Sequence, residues 1–134
     1  MVRFFHDDAL GKLIVRVTLG ALLLFHGVAK VMQPGTVAYI ADELSMAGFP
    51  TFLAYGVFVG EVIAPLMLIV GVYSRYAAIL VIINMIFAIL LVHSGELFAL
   101  TKNGGWRLEV QGFFLFTAVA VLFLGSGRYA VKSD

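Results

Sequence analysis

The sequence predicts an all-α membrane protein whose four transmembrane helices form an up-and-down bundle, and three observations carry that expectation. Of 134 residues, 62% are apolar and 13% charged, and a mean hydropathy of +1.04 leaves too little polar surface for a domain in water. Four stretches are apolar over about the length that crosses a roughly 30 Å hydrocarbon layer. Between them stand the prolines, glycines and polar residues that end helices. The net charge of +1 offers neither a nucleic-acid footprint nor a polybasic membrane patch. The expected surroundings are therefore the lipid bilayer, and residues 1–134 are read as one domain.

The first helix is expected from Leu10 to Val31, closed by Pro34 and Gly35. It is not read as a secretory signal, because Arg16 interrupts the apolar run, which closes on His26 and Lys30 without a small-residue cleavage pattern. The second runs from Phe52 to Gly71, after Gly48 and Pro50. The connection between the two is long enough to be partly structured. Pro65 follows Glu61 by four residues, so the Glu61 carbonyl loses its usual amide donor and a kink is expected there. Ser74 and Arg75 turn the chain into a third helix, Ala77 to His93, and Asn103, Gly104 and Gly105 break it before a fourth, Val110 to Leu124. Gly56 with Gly60, and Gly20 with Gly27, are small residues at spacings that let membrane helices approach closely, within one bundle or in a homodimer.

Orientation follows from Lys and Arg. Arg3, Lys12, Arg75, Arg128 and Lys132 would share one side against Lys30, Lys102 and Arg107 on the other, which places both termini in the cytoplasm.

The chain has no cysteine, so it cannot run a thiol relay or bind metal through thiolates, and redox chemistry would need a bound cofactor or a partner. The polar residues inside the helices carry the remaining signal. Counted by depth at 1.5 Å per residue, Glu61 and Asn84 fall near the middle of the bilayer, within reach of Arg16. A charge at that depth needs a partner, and the expectation is an Arg16–Glu61 ion pair with Asn84 bonded to one of them. Such a pair can equally serve only to hold helix register. A second cluster gathers toward the outer side: His26 and Lys30 one turn apart, His93, Glu109 and Gln111, with Trp106 and Arg107 beside them. Singly, these are residues that belong at a membrane interface. Together they can form a polar pocket for a quinone-like or other small ligand, and two histidines from separate helices are also what bis-imidazole haem ligation uses. Two histidines and a glutamate without closer spacing make a poor metal signature.

These residues form a recognisable pattern. Arg16, Gly20 and Phe25-His26-Gly27-Val28-Ala29-Lys30, then Gly60-Glu61-Val62 and Leu68-Ile69-Val70-Gly71-Val72-Tyr73-Ser74-Arg75, resemble the DoxX family of small bacterial membrane proteins. His93, the glycine pair before the fourth helix and Gly125-Ser126-Gly127-Arg128-Tyr129 extend the resemblance from about Leu10 to Tyr129. Ser126 stands where the family often has Pro, and Trp106-Arg107-Leu108-Glu109 is less typical. The resemblance implies a four-helix fold in the bacterial cytoplasmic membrane. The family is named for a subunit of a thiosulfate:quinone oxidoreductase, and some members associate with membrane redox complexes. An accessory or quinone-linked subunit of such a system, with redox-complex proteins as partners, is thus what it implies here. It assigns no catalytic residue and no substrate. A small-solute or proton-linked permease using Glu61, which would demand a homodimer, and a purely structural membrane partner are the alternatives.

Overall fold

The computed structural model describes residues 5–134; Arg3, counted above, lies outside them. Helix α1 spans Asp8–Met32, α2 Pro34–Met46, α4 Ser74–Leu91 and α5 Glu109–Leu124, while α3 occupies Thr51–Val70 as a composite. The protein is an all-α membrane protein. Three helices, α1, α3 and α4, are long and apolar enough to cross a bilayer, and α5, at 16 residues, is shorter. Phe25, Phe113, Phe116, Phe123 and Leu90 project from the bundle as its lipid-facing surface.

The bundle is a ring in which α1 packs on α3 and α5, and α4 packs on α5 and α3. Small residues make these approaches possible. A β-carbon at Gly20 would stand 2.8 Å from the Pro65 carbonyl oxygen, and one at Gly27 would overlap the carbonyl of Glu61. Ala77, Ala78 and Ala118 are fully buried on the opposite seam. Leu19, Leu23, Leu68, Val81 and Val121 fill the centre.

Helix α3 changes its winding along its length. It opens as a 3-10 turn at Thr51–Tyr55, widens to a π-helical turn at Val59–Ile63, and returns to α geometry over Ala64–Val70. Pro65 has no amide to give the Glu61 carbonyl, and the amide of Ala64 bonds instead to Val59. The backbone relieves the missing bond by widening, a common site of π-turns.

The connection after α1 is helical. Val37 and Leu44, two turns apart on α2, bury against Ala54 and Val57 of α3, with Leu91 of α4 alongside. Helix α2 therefore roofs one end of the bundle.

The other end is closed by the C-terminal tail. The amides of Val131 and Lys132 donate to the carbonyls of Val70 and Gly71, and Gly71 ends α3 at φ 81°, a left-handed cap that suits glycine. Two arginines finish the closure. Arg16, 1% exposed, donates to the carbonyls of Leu68 at 2.5 Å, Ile69 at 3.2 Å and Tyr129 at 2.5 Å. Arg75 donates to the carbonyl of Leu122 at 3.0 Å. Each places a cation at the C-terminal end of a helix, where orphan carbonyls and the macrodipole favour it. The Asp134 carboxylate accepts from the amides of Arg75 and Ser126. Partial burial raises the Asp134 carboxyl, but these bonds and the Arg75 charge outweigh it and hold the group below the usual carboxylate range.

The expected Arg16–Glu61 pair is not formed. Glu61 lies level with Gly27 of α1, eleven residues beyond Arg16, or about 16 Å of helix rise. The depth count treats both helices as straight and parallel. In fact the first turns of α3 lean away from α1 onto α2, which brings Glu61 nearer the roofed end.

Candidate functional site

Glu61 is 3% exposed, and its carboxylate is held from two sides. Lys30 Nζ donates to Oε1 at 2.5 Å, and Asn84 Nδ2 donates to Oε2 at 2.7 Å. Three helices supply this group, and each position has a local cause. Lys30 stands in the last turn of α1, one turn past Gly27, whose missing side chain lets α1 close on α3. Asn84 reaches Glu61 because Gly60 has no β-carbon; one there would stand 2.5 Å from that of Asn84. Glu61 itself sits in the π-turn, which turns it inward. A buried carboxylate is sustained in an ion pair only when its remaining polar atoms also find partners, and Asn84 supplies the partner for the second oxygen.

The group lines a cavity of about 550 Å³ between the bundle and the α2 roof. His26, Lys30, Thr36, Tyr39, Glu61, Asn84, His93 and Gln111 are its polar lining, among a larger set of carbon side chains. Its volume and composition, mostly apolar with a few convergent polar groups, are those of small-molecule sites. Glu61 and Asn84 from the expected central group thus share one cavity with His26, Lys30, His93 and Gln111 from the outer cluster, and Lys30 joins the two.

The remaining residues fall as follows. The His26 ring stands edge-on to Phe114, centroids 5.4 Å apart. His93, just past the end of α4, places Nδ1 3.2 Å from Glu96, which also faces Arg107 at 3.8 Å. Gln111 lines the cavity from the first turn of α5. Glu109 does not join them; it is exposed, its carboxylate near Gly105. Arg16 lies at the far end of the bundle, outside the site. Among the described residues no group of three or more His, Cys, Asp or Glu gathers to hold a metal ion.

Two contributions escape the sequence reading. Thr36 and Tyr39 of α2 line the cavity, yet nothing in the linker's composition announces a roof; the pairing of Val37 with Leu44 is its only trace. Glu96, the carboxylate nearest His93, sits in a loop whose fold depends on Trp106 Nε1 donating to the Leu97 carbonyl at 2.8 Å.

A model of the DoxX family matches residues 11–94, a stretch that includes Lys30, Glu61 and Asn84. Over 122 residues the chain is 26% identical to an uncharacterised protein of Haemophilus influenzae, covering 89% of this chain and 86% of that protein. No solved structure matches.

Proposed function

The chain belongs to the DoxX family, and from that premise we propose that it is an accessory, quinone-linked subunit of a redox system in the bacterial cytoplasmic membrane, with the Glu61 cavity as its ligand site. One observation carries this reading: a Lys30–Glu61 ion pair at 2.5 Å on the wall of a 550 Å³ apolar cavity. A buried ion pair is costly to keep merely as a strut, and beside a cavity its polar atoms are available to a ligand.

The residues suit a flat ring with oxygen at its edge. Lys30 has three N–H groups, and only one is engaged by Glu61, leaving donors for a carbonyl oxygen. Glu61 is the acceptor for a ring hydroxyl. Asn84 gives one N–H to Glu61 and keeps its own carbonyl oxygen and second N–H. Carbon walls exclude water and strengthen each of these contacts. When bound, a quinone supplies the means to carry electrons and protons between partners in a protein without cysteine.

A through-path for solute is less well supported. Towards the termini the interior is carbon, with Leu19, Leu68, Ala77, Ala78, Val81 and Val121 buried, and Arg16 seals that end.

Both termini are proposed to face the cytoplasm. Lys12, Arg75, Arg128 and Lys132 share the termini end, and Lys30 turns inward to Glu61, leaving Lys102 and Arg107 on the other side. That asymmetry favours the termini as the cytoplasmic face.

In a strain that depends on this protein, Glu61→Gln and His26→Ala are expected to lower membrane respiration and resistance to oxidants. Full activity of both variants at normal protein levels would contradict the redox reading.

A further inference from the structure

Some residues that line the cavity are also exposed, and where several of them adjoin they outline a mouth. Seven of the described residues have this double character: His26 of α1 and Tyr39 of α2 singly, and Leu53, Gly56 and Val59 of α3 with Ile83 and Phe87 of α4 as a group. The group stands at helical spacing on two neighbouring helices. Beside Val59 and Ile83, α3 and α4 are locked together where Gly60 meets Asn84. Above that contact α3 passes into its 3-10 turn and packs on α2, so the two helices part. Phe49, ahead of α3, closes the far edge of the gap against Phe87, ring centroids 5.9 Å apart. The opening is a window in the side of the bundle, at the depth of apolar helix, and the side chains on its rim are all hydrocarbon.

We infer that the cavity is loaded sideways from the bilayer through this window, and that its ligand is an amphiphile whose polar head rests at Glu61 and Asn84 while its hydrocarbon tail lies between α3 and α4. The inference rests on the ligand-site reading above and adds the route and the class of molecule. A rim without polar side chains offers little to a hydrated solute. For a chain dissolved in lipid it costs nothing, because lipid and rim are equally apolar. The head, in contrast, must lose its water, and Glu61, Lys30 and Asn84 are the groups placed to replace it. Gly56 sits on the rim with open space where its β-carbon would be, so a side chain can start there without meeting a neighbour and narrow the window.

Two measurements on the full chain in nanodiscs test this separately from the redox reading. The chain has no cysteine, so Gly56→Cys takes a bimane label at one site. Lipids brominated on the acyl chain are expected to quench that label strongly, and aqueous iodide to leave it bright. Quenching by iodide and not by bromolipid would overturn the window, whatever the ligand is. The second measurement compares decylubiquinone with the same ring lacking its tail. Gly56→Phe is expected to weaken the tailed probe about tenfold and leave the tail-less ring unchanged, while Glu61→Gln weakens both. Equal effects of Gly56→Phe on the two probes, or none on either, would overturn the tail placement. If neither probe binds the unmodified protein, the quinone reading fails, and the bimane label alone decides whether membrane chains enter here.

Discussion

Lys30 and Glu61 come from helices that run in opposite directions and meet at 2.5 Å one turn past the closest approach of those helices, at Gly27. The pair exists because Gly27 is small. It turns the end of α1 into a wall of the cavity.

Removing Lys30 leaves the buried Glu61 carboxylate without its counterion, and removing Glu61 leaves the partly buried Lys30 without its own. Lys30→Met or Glu61→Gln alone should lower stability, and Lys30→Met should cost on the order of 3–5 kcal/mol, the usual penalty for an orphaned buried charge. The double variant should recover much of that loss. Thermal unfolding followed by circular dichroism, arranged as a double-mutant cycle, reads the coupling.

Two glycines in one chain should behave oppositely. Gly27→Ala drives a β-carbon into the Glu61 carbonyl and should destabilise by about 1–3 kcal/mol, as overpacking does. Gly56→Ala enters open space and should change stability by less than about 0.5 kcal/mol. Equal effects in the same unfolding assay would mean that α1 and α3 do not approach as described.

Arg16 serves the end of the bundle away from the cavity. Arg16→Lys keeps the charge but loses the fork that reaches Leu68, Ile69 and Tyr129 together. It should cost about 3 kcal/mol and release the tail after Gly125, measurable as faster amide exchange at Val131 and Lys132. Ligand binding should persist in whatever fraction stays folded.

The four apolar segments, their breaks and the freed carbonyl before Pro65 are all legible in the sequence, because each follows from local composition and backbone chemistry. Asn84 is placed at the depth of Glu61 by counting alone. The partner of Glu61 is not, because the 3-10 and π turns of α3 shift its register against α1, and such changes of winding leave no countable pattern. Arg16 misleads for a different reason. Its partners are backbone carbonyls at helix and tail ends, which every sequence possesses and none advertises. The α2 roof is hidden in a linker whose two burying residues, Val37 and Leu44, mean little until α3 is there to receive them.

The tail should respond to acid. Asp134 has its carboxyl held below the ordinary range, about 3.9 for an unfolded aspartate. A depressed folded value means its contribution is complete above that range and is lost as pH falls through the lower folded value. Protease cleavage within residues 126–134 should accordingly rise only below about pH 4, and Asp134→Asn should cleave at the acid rate at neutral pH.

The central claim is that the Glu61 cavity holds a quinone-type ligand, and native mass spectrometry of the protein gently extracted from its own host membrane tests it most directly. The unmodified protein should carry a quinone mass that is absent from Glu61→Gln prepared in the same way. A spectrum with phospholipid alone, identical for the two, would contradict it.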